Sequence, residues 1–152
     1  MRFGTDTYRA GAMERVADAT LLLENGHLAG AVYSAGLSVE CMLRSLVWLK
    51  DRQLDERHDL RRLAVRIDSL GLLRRGDADV DFVGLVQDVA VHWHNSVRFA
   101  ATDHLVRLWT DVGVVRRKRP GDMKLACRNF VLHCSDVVHR CEVLWRSQQR
   151  KG

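Results

Sequence analysis

The sequence predicts an all-α fold, a bundle of about five to six helices that begins with a long antiparallel helical hairpin. Proline occurs only once in 152 residues, and apolar residues make up 47% of the chain. These apolar residues recur at steps of three and four, whereas a half-buried strand would show strict alternation. A chain of this length can bury its own core, so we expect a single domain over residues 1–152.

The first two predicted helices run from Thr5 to Glu24 and from His27 to Lys50. Apolar residues share one face of the first helix: Tyr8, Ala12, Val16, Ala19 and Leu23. The second helix has a similar stripe: Leu28, Ala31, Ala35, Val39, Met42, Leu46 and Leu49. Asn25 and Gly26 form a C-terminal stop signal. Because the connection is so short, the two helices should pack as an antiparallel hairpin.

Three shorter helices are predicted after a charged linker at residues 51–57. The first of these helices ends at Gly71. Its inward-facing residues are Leu60, Leu63, Ala64, Ile67 and Leu70. The next is capped by Asp77, extends to about Trp93 and uses Val80, Val83, Val86, Ala90 and Trp93. Residues 92–101 interrupt the pattern, and Thr102 then caps a helix with Leu105, Leu108 and Val112 inward.

The last predicted helix extends from about Asp122 to Ser147 and carries the sharpest amphipathic stripe in the chain. The stripe consists of Met123, Cys127, Phe130, Cys134, Val137, Cys141 and Leu144. Three of the four cysteines are thus seven residues apart, and no two form a CxxC pair. This spacing indicates core positions and not a disulfide framework or a zinc ribbon.

The overall charge permits contact with nucleic acid without requiring it. Lys and Arg number 24 against 19 Asp and Glu, a net charge of +5. Four consecutive cations precede Pro120: Arg116, Arg117, Lys118 and Arg119. They either hold a nucleic-acid backbone or form a solvated turn. No stretch has the pattern of a signal peptide or a bilayer-spanning helix, so we expect a cytoplasmic protein without a membrane contact.

Three short stretches form an ordered set: HLAGAVYSAGLSVECMLRSLVWLK at residues 27–50, RHDLRRLA at residues 57–64 and VRF at residues 97–99. Their characteristic positions are Ala31, Ala35, Glu40, Arg44, His58, Asp59, Leu60, Val97, Arg98 and Phe99. Taken in this order, these motifs resemble the HEPN domain family. The resemblance implies a helical bundle, usually a homodimer, that acts on or binds RNA. It also implies an antitoxin or a nucleotidyltransferase as a partner protein.

Glu40, His58 and Asp59 are expected to be structural residues or to line a cleft. Glu40 lies in an apolar helix, where an unpaired buried carboxylate is costly, so Arg44 or His58 should pair with it. The alternative is that Glu40 points outward and pairs with Arg44 on the surface. Asp59 falls at the start of the next helix, where the helix dipole favours a carboxylate.

Arg128, Asn129 and His133 match the active-site pattern of the ribonucleases in this family. That pattern is an Arg, four to six residues and then a His, often with a polar residue directly after the Arg. A guanidinium can grip phosphate oxygens, and an imidazole can move a proton near neutral pH. The alternative is that these residues merely flank the apolar stripe.

On a regular helix, residues five positions apart diverge by roughly 140 degrees, so Arg128 and His133 need a second chain to complete a site. His133 should also lie near a polar group that sets its tautomer, most simply Asn129 or the region of Arg128 in a second chain.

A second candidate pair consists of Arg98 and His104, which straddle the break before the fifth predicted helix. His92 and His94 diverge on a helix and lack a third ligand, so no metal site is expected, and no cofactor either. Two functions remain open. One is a metal-independent endoribonuclease of toxin–antitoxin or defence type. The other is a non-catalytic interaction or nucleotide-binding subunit that pairs with a nucleotidyltransferase or an antitoxin.

Overall fold

A computed structural model describes residues 4–53, 58–73, 81–116 and 119–150. The described residues form seven helices and no strand: α1 Thr5–Glu24, α2 Leu28–Trp48, α3 Leu60–Ser69, α4 Phe82–His92, α5 Asn95–Arg98, α6 Thr102–Asp111 and α7 Pro120–Gln149. The all-α prediction is therefore confirmed. The additional helix is α5, a four-residue segment in the stretch that interrupts the sequence pattern. No helix in the described ranges is long and apolar enough to cross a membrane.

The two long N-terminal helices form the predicted hairpin. Gly26 lies between them with φ at 78°, in the left-handed region that favours glycine. The side chain of Asn25 donates to the Leu21 carbonyl at 2.8 Å, and the Asn25 amide donates to the same oxygen at 3.1 Å, near the end of α1. From Ala31 to Val47 nearly every residue of α2 is buried. Since α2 packs against α1, α3 and α7, it is the central helix of the bundle.

Helix α7 buries the stripe that the sequence predicts. Six positions are buried: Met123, Cys127, Phe130, Cys134, Val137 and Cys141. The three cysteines among them are free thiols, and burial raises the pKa of Cys127 to about 12. A thiol held in this state is a poor nucleophile, so the cysteines act as core residues. The helix begins at Pro120 and not at Asp122, because proline suits the first position of a helix.

Three details of the middle helices differ from the prediction. Asp81 caps α4 and accepts a hydrogen bond from the Gly84 amide at 2.8 Å, while the predicted cap Asp77 and the predicted core residue Val80 lie outside the described residues. Thr102 is the first residue of α6, and its N-cap is Ala101. Val112 is exposed and Trp109 is buried in its place, because the Trp109 ring packs against His92 and Phe130.

Helix α7 is fastened to α1 and α2 near its C-terminal end. The guanidinium of Arg9 donates two hydrogen bonds to Glu142, at 2.6 and 2.5 Å, and lies 4.8 Å from the centre of the Trp145 ring. The indole of Trp145 donates to Thr5 at 2.7 Å, and Thr5 in turn bonds Ser45 of α2. The bidentate ion pair lowers the pKa of Glu142, whose side chain is buried. These contacts fix the direction of α7 relative to the hairpin.

Gly36 should be essential for packing. Its Cα meets the Trp93 indole so closely that a Cβ would overlap with the ring atoms. We expect Gly36→Ala to lower the free energy of unfolding by about 1–3 kcal/mol through overpacking. Gly11→Ala is the matched control, because a Cβ at Gly11 meets nothing within 4 Å and should stabilise α1 by about 0.5–1 kcal/mol. Urea unfolding measures the free energy of unfolding of both variants. Equal changes in Gly36→Ala and Gly11→Ala would contradict the packing argument.

The Arg9–Glu142 pair should make stability depend on acid pH. The folded-state pKa of Glu142 lies below its unfolded value of about 4.3, chiefly because Arg9 donates hydrogen bonds to it. The contribution of Glu142 to the free energy of unfolding is therefore complete above its unfolded-state pKa. This contribution is lost as the pH falls through its folded-state pKa. Unfolding free energies of the wild type and Glu142→Gln should differ most near neutral pH and converge in acid. If the unfolding free energies of the two proteins ran parallel across this pH range, the linkage would be ruled out.

Candidate functional site

A buried ionic cluster joins α2 to the chain segments before α3 and at α5. At its centre is Glu40, which is 2% exposed. Arg44, one turn later on α2, donates to Glu40 Oε1 at 3.0 Å, and Nδ1 of His58 donates to the same oxygen at 2.6 Å. Arg98 approaches the other oxygen, with Nη2 at 3.8 Å from Oε2. The sequence left the direction of Glu40 open, and the structure turns it inward.

The position of Arg98 depends on an aromatic ring as well as on Glu40. Its guanidinium lies 4.9 Å from the centre of the Trp93 ring, within cation–π range. Glu40 Oε2 and Arg98 Nε are buried without a hydrogen-bond partner, as is Trp93 Nε1. The Arg98 contact is therefore looser than the Arg44 contact, and it is held by burial and by the aromatic face.

His58 and Asp59 connect the start of α3 to this cluster. Asp59 is the N-cap of α3, and its carboxylate accepts hydrogen bonds from the amides of Arg61 and Arg62 at 3.0 and 3.2 Å. His58 is more than half exposed and reaches inward to Glu40. Adjacent residues thus order the helix start and attach it to α2.

The structure does not bring Arg98 and His104, the second candidate pair, into contact within the described part of the chain. Arg98 is turned inward toward Glu40, with its side chain 10% exposed. His104 is exposed on α6. No hydrogen bond or ion pair joins these two side chains among the described residues. In this structure Arg98 belongs to the ionic cluster.

The first candidate set lies on α7. Arg128 and Asn129 are exposed, and His133 is partly buried. Nε2 of His133 lies 3.2 Å from the carbonyl oxygen of Leu85 in α4. The polar group that sets its tautomer is therefore a main-chain oxygen and not the expected Asn129. The reason is helical geometry: His133 projects from the side of α7 that packs toward α4.

The solvent-facing side of α7 also carries three large aliphatic residues. Leu125, Leu132 and Val143 are 56%, 57% and 56% exposed. At 100 degrees per residue they lie within about 20 degrees of one another, directly opposite the buried stripe. Arg128 and Asn129 flank this line. We call these five residues the outer face of α7.

Other polar groups give no further site in the described part of the chain. Of the four consecutive cations, Arg116 and Arg119 are exposed, while Arg117 and Lys118 lie outside the described residues. No group of three or more His, Cys, Asp and Glu side chains that could hold a metal ion occurs within the described ranges.

Sequence reasoning missed the contacts of Arg98 and Trp93 with α2. Its only local signal was Gly36, a glycine inside an otherwise apolar helix, which often marks a close approach. The approaching group is the ring of Trp93, the residue that follows α4. No spacing rule links the two positions.

Glu40→Gln should destabilise the protein strongly. Removing the carboxylate takes the anion away from Arg98, whose side chain is 10% exposed, and breaking such a buried pair costs about 3–5 kcal/mol. Asp18→Asn is the matched control, since its ion pair with Arg15 is exposed and should contribute less than about 1 kcal/mol. Chemical unfolding of both variants gives the comparison. If Glu40→Gln lost no more unfolding free energy than Asp18→Asn, a structural role of Glu40 would be contradicted.

Comparison with known proteins places this geometry in a family. The model of the HEPN domain matches residues 6–100. This range contains Glu40, His58 and Arg98, and it ends before α6 and α7. No curated protein and no solved structure matches the chain. Because the matched range exceeds half of the 152 residues, the chain belongs to the HEPN domain family.

Proposed function

We propose that this HEPN protein is a metal-independent endoribonuclease that acts as a pair of identical chains. The observation that carries the proposal is the placement of its three candidate residues on α7. Arg128 and Asn129 are open to solvent, and His133, on another side of the same helix, is held in one orientation by α4. Phosphodiester cleavage requires an accessible cation and an oriented imidazole, and two copies of the chain can supply both to one phosphate.

The chemistry uses the 2′-hydroxyl of the RNA as the nucleophile. His133 accepts the proton of this hydroxyl while its oxygen bonds to phosphorus. The bond from phosphorus to the 5′ oxygen then breaks, and that oxygen takes a proton from water. The products are a 2′,3′-cyclic phosphate and a free 5′-hydroxyl. Arg128 stabilises the negative charge on the phosphate oxygens, and Asn129 can hold one of them by hydrogen bonding.

A second copy of the chain is needed to complete the site. Arg128 and His133 leave a regular helix about 140 degrees apart, so a single chain cannot direct both at one phosphate. The outer face of α7 offers the surface for a partner, because Leu125 and Leu132 gain from burial and the candidate residues border them. An isologous dimer through this face would place two copies of each candidate residue along one contact.

The biological setting follows from the activity. An active endoribonuclease would damage the RNA of the cell that makes it, which favours a toxin–antitoxin or defence role with an antitoxin as partner. The cytoplasm supplies its RNA. The exposed Arg116 and Arg119, next to the N-terminus of α7, would add sequence-independent attraction for the phosphate backbone.

A non-catalytic subunit is the second candidate function, and the extent of the family match favours it. The matched residues 6–100 contain the ionic cluster but not the three residues of α7. In this case the outer face of α7 would bind a nucleotidyltransferase or an antitoxin, or the bundle would bind a nucleotide, and RNA would remain intact.

Cleavage of RNA in the presence of a chelator tests the proposal. We expect the wild type to cut a labelled single-stranded RNA in EDTA and to leave 2′,3′-cyclic phosphate ends. Arg128→Ala and His133→Ala should each lower the rate by about 10²–10⁴-fold. Arg61→Ala and His27→Ala are the controls, because both residues are exposed and lie outside α7. RNA that stays intact with the wild type would favour the non-catalytic subunit.

The dimer is tested in parallel by light scattering. Leu132→Asp places a charge on the outer face of α7 and should convert a dimer to monomers with loss of cleavage. Val65→Asp is the control, since Val65 has nearly the same exposure, 56%, on α3. A monomeric wild type that cuts RNA would exclude the two-chain site.

A further inference from the structure

The imidazole of His133 is anchored to α4 through one of its two nitrogens. Nε2 lies 3.2 Å from the Leu85 carbonyl oxygen. A carbonyl oxygen has no hydrogen to give, so Nε2 must carry the hydrogen and donate it. Nε2 is protonated in the imidazolium as well as in this neutral tautomer. The hydrogen bond can therefore persist in both charge states of the ring.

The other nitrogen is left to exchange protons. No hydrogen bond of Nδ1 occurs within the described residues. The buried side-chain nitrogen and oxygen atoms that lack a partner there belong to Glu40, Trp93 and Arg98. Nδ1 of His133 is not among them, although His133 is partly buried, so this atom meets solvent.

The carbonyl that holds Nε2 belongs to a well-ordered helix start. Leu85 lies in the first turn of α4, and its amide donates to the Asp81 carbonyl at 2.9 Å. The Asp81 side chain caps the same turn by accepting from the Gly84 amide at 2.8 Å. The direction of the Leu85 carbonyl is thus set by the backbone of α4. A main-chain group of one helix orients a ring that projects from another.

We infer that Nδ1 of His133 is the proton-accepting atom of the site, and that the Leu85 carbonyl positions it. The inference rests on the proposed ribonuclease function and specifies its chemistry. Nδ1 takes the proton of the 2′-hydroxyl as the oxygen–phosphorus bond forms and the bond to the 5′ oxygen breaks. The 5′ oxygen takes a proton from water, and Nδ1 later returns its proton to solvent. Nε2 keeps its hydrogen throughout.

NMR of the full-length protein labelled with ¹⁵N-histidine tests the tautomer without reference to activity. In the neutral ring of His133, Nε2 should carry a hydrogen that exchanges slowly with water and shows contacts to protons of α4. His139 is the internal control, since it is exposed on the same helix and its ring hydrogens should exchange rapidly. A hydrogen on Nδ1 of the neutral ring, or exchange as fast as in His139, would overturn the inference.

Two substitutions separate the roles of the two nitrogens. The amide nitrogen of His133→Gln falls near the position of Nε2 and can still donate to the Leu85 carbonyl, whereas that of His133→Asn falls near Nδ1 and cannot. We expect Gln to keep the wild-type Tm and Asn to lower it by about 2–4 °C, the effect of one lost hydrogen bond. Both should lose RNA cleavage by about 10²–10⁴-fold, because neither has a nitrogen that accepts a proton.

The outcomes distinguish this inference from the proposed function. If the wild type cuts RNA but His133→Gln cuts it within tenfold of the wild-type rate, Nδ1 is not the proton acceptor and the inference fails. If the wild type cuts RNA and the neutral ring is protonated on Nδ1, the inference fails while the ribonuclease function stands. A wild type that cuts no RNA overturns the ribonuclease function, and the proton-transfer role of Nδ1 fails with it.

Discussion

The arrangement of this bundle depends on one buried carboxylate. Glu40 is almost fully removed from water, and a lone charge in that position would be strongly unfavourable. It becomes tolerable because Arg44, His58 and Arg98 surround it, from α2, the start of α3 and α5. The need to neutralise one charge therefore brings together three segments that are distant along the chain. Replacing such a cluster by apolar residues need not weaken a protein, so we regard its main effect as fixing one arrangement of the helices.

Packing against glycine makes that cluster geometrically feasible. Trp93 follows α4 directly and rests against Gly36, one turn before Glu40 on α2. The buried indole ring then supports the guanidinium of Arg98. A larger residue at position 36 would push the ring away and carry Arg98 with it. Apolar packing and ion pairing in this region are thus one structural unit.

Helix α7 links this architecture to the proposed chemistry. Its inner stripe contributes to the core, and Arg9 and Glu142 fix its C-terminal part against α1. Nearer its N-terminus, Phe130 packs against His92 and Trp109, and His133 bonds the backbone of α4. The outer face is left free to meet a second chain or RNA. These contacts hold α7 in one position, and the bond to Leu85 gives the His133 ring a defined direction, which the proposed catalysis requires.

Both the family assignment and the α7 residues were accessible from sequence, but with different support. The ordered motifs from Ala31 to Phe99 lie within the range that the HEPN model matches, and they include the residues that build the ionic cluster. Arg128 and His133 lie outside that range. Their proposed role therefore depends on their chemistry and on their position on α7.

The sequence by itself determined the six longer helices, most of their stripes and the stops of the first hairpin helix and of α3, because these follow from local periodicity and backbone preference. The hairpin turn at Gly26 and the buried cysteines of α7 are examples. Only the tertiary structure decided the direction of Glu40, the inward turn of Arg98 and the bond from His133 to α4. Each of these joins residues 18 to 58 positions apart in the chain, where no periodic rule applies. The direction of a polar side chain at the edge of a helix is set by the neighbour that packs there, and that neighbour is defined only once the chain has folded.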